Sequence, residues 1–257
     1  MGFLFGGVPS QSMNIKARLT SWQATPGLRN SFVPIPGKPG VADFGSDSAE
    51  RIITVRCSVY PQFQFSSLVA VLDGLAEWLN PNNGLKQLVL DDVPDRRFMA
   101  RLQTGIDCER LVLAAGAFDL KFVCPDPFAY ALADESYTVT APGVNMVTRV
   151  KGNAESMPVY LLKAAIPSGA ANFITITTNN EELKIIGNLA SGETLAIDSA
   201  LMTAKVVDGS GETLRNGLPL LQELNFPTLR KGANTVTITA AGATFTELQI
   251  QAKSRWR

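Results

Sequence analysis

Apolar residues take every second position in several stretches of the chain. From Arg51 to Tyr60, Ile53, Val55, Cys57 and Val59 alternate with Thr54, Arg56 and Ser58; near residue 120, Phe118, Leu120, Phe122 and Cys124 form a second such row. Successive side chains of a strand point to opposite faces, so a period of two predicts strands that bury one face and wet the other. The runs 3–5, 13–22, 85–90, 97–104 and 110–115 predict further strands, and 110–115 with 116–124 predicts a hairpin about Ala115-Gly116. Residues 65–80 have another rhythm. Leu68, Leu72, Leu75 and Leu79 recur at helical spacing, Ser66 or Ser67 suits the N-cap, and Asn80-Pro81-Asn82-Asn83-Gly84 stops the helix. Trp78 on that helix is expected to reach partly into the core.

Two segments break the pattern. Residues 28–48 hold Pro34, Pro36, Pro39, Gly37, Gly40 and Gly45, a composition that does not sustain a regular ladder for long. The segment is also longer than a turn requires, and long ordered loops usually have a task. In CPDPFAY, residues 124–130, Pro125 and Pro127 have no N–H to donate and end the preceding strand. Cys124 falls on that strand's apolar face with no base or cation beside it in sequence, so it reads as a buried thiol and not a nucleophile. The segment is therefore expected to be a boundary between domains 1–131 and 132–257, with Phe128 and Tyr130 pinning the exit. Beyond it come short β-prone runs every 8 to 12 residues, including a hairpin around Asn179-Asn180, which predict an all-β sandwich or jelly roll.

Composition narrows the chemistry. With 46% apolar and 18% charged residues the chain has the makings of a sizeable core. Lys plus Arg equals Asp plus Glu, 23 each, and the balance holds on both sides of residue 131, so these totals give no reason to expect nucleic-acid binding, although they do not exclude a local patch. The chain has no histidine, which removes Ser-His-Asp and Cys-His catalysis and every histidine metal site. Three scattered cysteines make no disulfide framework, no stretch has the length of a membrane span, and the N-terminus lacks a signal-peptide pattern; an origin in a reducing cytoplasm is expected. Asp91, Asp92 and Asp95 match no calcium loop and read as a solvated turn capped by Arg96 and Arg97. The prolines of PGKPG remove amides that a phosphate cradle needs. Asp198 reads as a strand-end turn residue, and 209–212, 216–217 and 226–234 as turns. No catalytic, cofactor-binding or metal-ligating residue is expected, and no cofactor.

One ordered set of motifs resembles a known family. Arg29, Pro36-Gly37 and Gly40, then Trp78-Leu79, then Asp95 and Ala100-Arg101-Leu102, then Phe122, Cys124, Asp126-Pro127 and Tyr130 follow the order of the distal tail protein (Dit) family of long-tailed bacteriophages. The C-terminal half, with PVYLL, TLAID, LNFPTLRKGANTVTI and KSRWR, is similar to the same family with less specific motifs. Val93 is inserted in the acidic turn, Phe98 stands where an aromatic hydroxyl is usual, and the interval from Arg29 to Ile35 varies; these changes lie in turns or are small.

The resemblance implies a mainly β fold. An N-terminal β-sandwich with one α-helix and an extended arm is followed by a C-terminal galectin-like β-sandwich of jelly-roll type. It further implies a non-enzymatic structural protein of the virion, at the distal end of the tail and assembled in the host cytoplasm. As a homo-hexamer it would meet the major tail tube protein, a tail-associated lysin or tail-spike baseplate protein, and in some relatives a receptor-binding protein, without membrane insertion. The arm expected to grip the neighbouring subunit is 28–48, with Arg29, Val33, Pro34, Ile35, Pro36, Gly37 and Lys38 at the interface. The alternative is a carbohydrate-binding module that contacts the host surface through the C-terminal sandwich.

Overall fold

The computed structural model describes residues 2–59, 65–112 and 115–257. The chain divides into two units, Met1–Leu132 and Ala133–Trp256. In the first, the strands are β1 (Phe3–Phe5), β2 (Val8–Pro9), β3 (Ile15–Leu19), β4 (Leu28–Pro34), β5 (Val41–Ser48) and β6 (Arg51–Val59). The helix α1 (Phe65–Trp78) precedes β7 (Lys86–Leu90), β8 (Val93–Leu102), β9 (Glu109–Val112), β10 (Ala115–Cys124) and β11 (Ala129–Ala131).

The row β2-β1-β7-β8-β10-β6-β3 is one continuous antiparallel sheet path, with β9 added to β10 and β11 to β8. The strand β8 pairs with β7 along most of its length and with β10 only at Arg101 and Leu102, so the sheet turns there. The strands β1 and β10, three places apart in this row, then face each other: Phe3 and Phe5 on β1 meet Phe122 on β10 at centroid distances of 5.5 and 5.3 Å. The helix covers this cluster. Trp78 stacks on Phe3 at 5.6 Å and donates from Nε1 to the Phe5 carbonyl at 3.2 Å, because a buried indole N–H needs an acceptor.

Ile53, Val55, Cys57 and Val59 are buried, as are Phe118, Leu120, Phe122 and Cys124, as the period of two predicts. Leu68, Leu75 and Leu79 are buried and Leu72 half-buried. Three details differ. The helix runs from Phe65, so Ser66 and Ser67 lie in its first turn; the preceding residue is outside the described ones. β9 and β10 do pair, but Ala115 and Gly116 sit inside β10 at a register shift, and the connection at 113–114 lies outside the described residues. β8 begins already at Val93, because Asp91-Asp92 alone connects it to Leu90 of β7.

Arg51 heads the alternating strand on the same parity as Ile53 and is 2% exposed. Its Nε donates to the Pro127 carbonyl at 2.9 Å and its Nη1 to the Gln23 carbonyl at 2.6 Å. The guanidinium also lies over the Trp22 and Phe98 rings, at 5.9 and 5.8 Å. Carbonyl dipoles and ring faces make its desolvation tolerable. Through Pro127 it also fixes the last residue of the C-P-D-P exit.

The second unit has β12 (Ser136–Val139), β13 (Gly143–Arg149), β14 (Val159–Ala165), β15 (Phe173–Thr178), β16 (Glu181–Ile186) and β17 (Thr194–Asp198). They are followed by β18 (Thr203–Val207), β19 (Thr213–Asn216), β20 (Gly232–Ala241), β21 (Thr244–Gln251) and β22 (Arg255–Trp256). Two antiparallel sheets, β12-β21-β14-β17-β18-β19 and β13-β20-β15-β16, enclose one core built from both, including Tyr160, Leu162, Ile174, Ile176, Ile197 and Ile250. The Tyr160 hydroxyl and the Thr178 Oγ1 are 2.9 Å apart across that core, which satisfies both buried groups. The turn Asn179-Asn180 has φ of 50° and 76°, the left-handed pair that a two-residue hairpin demands. Asn179 also ties the hairpin down, donating to Asn234 Oδ1 at 2.7 Å and accepting from the Thr235 amide at 3.1 Å. The strand β19, between two expected turns, has every residue exposed and therefore no alternation to reveal it.

Candidate assembly surface

Residues 28–48 form a hairpin, not an unpaired arm. Leu28–Pro34 and Val41–Ser48 make a two-stranded sheet of their own, in the register Leu28↔Ser48, Arg29↔Asp47, Asn30↔Ser46, Phe32↔Asp43, Val33↔Ala42 and Pro34↔Val41. The prolines do not break this ladder because of where they fall. Pro34 ends β4, and Pro36 and Pro39 lie in the connection. There the Lys38 amide donates to the Ile35 carbonyl at 3.1 Å around Pro36-Gly37, with Gly37 at φ 77°. Proline at the second position and a positive-φ glycine at the third define a type II turn. A shift between Asn30 and Phe32 leaves an extra residue on β5, where Gly45 has φ 100° and its amide bonds to Asp43 Oδ1 at 2.8 Å. This bulge adds local twist.

The hairpin contributes no residue to the buried core, yet it is apolar. Leu28, Phe32, Val33, Ile35, Val41 and Phe44 are all exposed, Phe44 at 70%. Residues directly opposite in an antiparallel ladder share a face, which sorts the side chains. One face carries Leu28, Phe32, Pro34 and Val41; the other carries Val33, Ala42 and Phe44. A hairpin that lay on its own domain would have one apolar face, and this one has two.

The expected interface residues are therefore brought together. Arg29, Val33 and Pro34 lie on β4, and Ile35, Pro36, Gly37 and Lys38 make the turn, all exposed. The strongest apolar contributors, Leu28, Phe32, Val41 and Phe44, escaped the sequence reading, which followed the proline and glycine pattern. Their signal was there: bulky apolar residues among turn formers, with no core strand to join.

Other candidate groups are dispersed. Burial pushes the thiols of Cys124 and Cys57 up to about 12; a cation does lie near Cys124, Arg51, but its opposing pull does not offset the burial. Asp95 is forked by Arg96, with both bonds at 3.0 Å, while Arg97 stands opposite Tyr130 on β11; Asp91 and Asp92 are exposed turn residues. Asp198 accepts from the Ala200 and Leu201 amides at 2.9 and 3.0 Å, as a turn residue at a strand end does. Among the described residues there is no group of three Cys, Asp or Glu side chains placed to hold a metal ion.

Residues 12–124 match the family of phage tail protein RIFT-related domains. Over its whole length the chain has the fold of the Dit protein (gp 19.1) of SPP1, a paradigm of the hub adsorption apparatus in phages that infect Gram-positive hosts; the TM-score is 0.77 at 14% identity, covering 100% of this chain and 99% of that one. Chains of the phage P2 baseplate in its activated conformation, with Ca and with Sr, match at TM-scores of 0.47 and 0.48 and 7% identity, over 98% of each chain. No curated protein matches the sequence.

Proposed function

We propose that this chain, with a phage tail protein RIFT-related domain at residues 12–124 and the Dit fold throughout, is a non-enzymatic hub of a phage tail tip that closes into a homo-hexameric ring. The ring joins the tail tube to the baseplate proteins that meet the host. The observation that carries this reading is the hairpin β4–β5, whose two faces both carry apolar side chains left exposed in the single chain. Water contact with such a surface is unfavourable at about 25 cal/mol per Å² of apolar area, so covering it by another molecule stabilises the assembly. A protruding element fitting a different surface of the next copy makes a heterologous contact, and such contacts give rings when the rotation closes.

Light scattering coupled to size exclusion, over a range of protein concentrations, tests this. Six copies of 27.6 kDa give about 166 kDa, the mass expected at the highest concentrations. A closed dimer, or a monomer at every concentration up to 100 μM or so, would refute self-assembly through this hairpin.

A further inference from the structure

The balanced charge totals conceal a segregated surface. The strands β8, β10, β6 and β3 are neighbours, and their inward positions form the core. Their outward positions carry Lys16 and Arg18 on β3, Arg56 on β6, Lys121 on β10 and Arg101 on β8, all exposed or half-exposed. Arg18 stands directly opposite Arg56, Lys16 opposite Ser58, and Lys121 opposite Thr54. Acidic groups on this face are few. Asp119 bridges Arg56 at 3.3 Å, Glu109 stands at the rim opposite Ala117, and Asp95 at the far end of β8 is held by Arg96. The compensating acids lie elsewhere, on α1 as Asp73 and Glu77 and in the turn as Asp91 and Asp92.

Two features go beyond a solvated basic face. Like charges directly opposite on a sheet repel; Asp119, on the other side of Arg56, offsets that charge, which leaves Arg18 as the one an added anion would offset. The same two arginines and Lys16 wall a shallow cleft of about 350 Å³, floored by Ala17, Cys57 and Ala117. None of the exposed large apolar side chains among the described residues lies on this face. The apolar side chains on it, Ile52, Met99 and Val123, are half-buried, so a protein partner would find no fully projecting aromatic or aliphatic anchor of the kind that dominates protein interfaces, and lysine is depleted there. Lysine and arginine suit phosphates, which need charge and hydrogen-bond donors alone. We propose that this face binds the phosphate backbone of a nucleic acid without reading its sequence.

The test is fluorescence anisotropy of a labelled random-sequence DNA duplex with the full-length chain, at 50 to 200 mM NaCl. Four cations have no carboxylate partner in the set above: Lys16, Arg18, Lys121 and Arg101. Each neutralised phosphate contributes about −0.9 to the slope of log affinity against log salt, so four contacts predict a loss of about 150-fold across that range. The double variant Arg18→Gln, Lys121→Gln keeps two contacts and should lose only about 12-fold across the same range, while binding at least about tenfold more weakly at 50 mM. Both residues are exposed, and an unchanged circular dichroism melt confirms that the variant folds. Lys231→Gln, in the second unit, should bind like the parent. The proposal is overturned by no binding at 50 mM, or by a salt slope that the double variant leaves unchanged. It is equally overturned by binding of polyglutamate or of phosphatidylserine vesicles in preference to the duplex.

Discussion

Replacing Phe44 by serine separates folding from assembly. The side chain is 70% exposed in the single chain. A phenylalanine presents about 200 Å², so roughly 140 Å² of it is in water before assembly. Covering that area at about 25 cal/mol per Å² stabilises a contact by about 3.5 kcal/mol at most. A neighbour that covers most of it supplies about 2 to 3 kcal/mol, a factor of about 30 to 150 in the association constant. Folding should hardly notice, since the serine removes no buried atom; a change within about 0.5 kcal/mol moves the melting temperature by about 2 °C or less. Phe32→Ser, on the opposite face of the hairpin, should behave alike if both faces are covered. Sedimentation velocity across a dilution series measures the association, and scanning fluorimetry the melt. The reasoning fails if both variants associate like the parent, or if either lowers the melting temperature by more than about 5 °C.

Other expectations concern the cores. Arg51→Met leaves the Pro127 and Gln23 carbonyls without donors, and urea titration should show a loss of about 2 to 4 kcal/mol. Asn179→Ala forfeits the bonds to Asn234 and Thr235 and puts a Cβ-constrained residue at φ 50°, for about 1 to 3 kcal/mol; Asn179→Gly, free to adopt that φ, should recover part of it. A Cβ on Gly217 would stand 2.6 Å from Leu195 Cδ1 and 2.9 Å from the Lys205 amide nitrogen, so Gly217→Ala should cost about 1 to 3 kcal/mol in the same titration. The thiols of Cys57 and Cys124 titrate near 9 when unfolded and about 12 when folded, so their contribution is whole below pH 9 and is lost as pH rises toward 12. Urea midpoints should accordingly fall from pH 8.5 to 10.5. Cys108 is half-exposed, so a chromogenic disulfide at pH 8 should reach at most one thiol per native chain and the other two only after denaturant is added; prompt reaction of two or more in the native protein would contradict the burial of Cys57 and Cys124.

Strands with one dry face and one wet face were legible, because burial imposes a period of two that composition cannot hide. Arg51 shows both the strength and the failure of that signal. Its parity with Ile53 placed it inward, but a cation there contradicts the expectation from residue type, and only its carbonyl and ring partners resolve the conflict. The hairpin was read as unpaired since proline and glycine forbid a ladder in general; here they sit at its end, its turn and its bulge. The strand β19 carries no alternation, being exposed throughout. The basic sheet face was invisible for a different reason: charge totals are sums, and Lys16, Arg56, Arg101 and Lys121 become neighbours only when β3, β6, β8 and β10 do.

The hairpin's independence from the core has a consequence for divergence. No residue between 28 and 48 is buried, and its ladder closes on itself. Its sequence can therefore drift without disturbing the scaffold that bears it, provided the type II turn and the bulge glycine persist. Exchanging this segment alone between distant relatives should move the choice of neighbour with it, as a plug carries its pin pattern from one appliance to another.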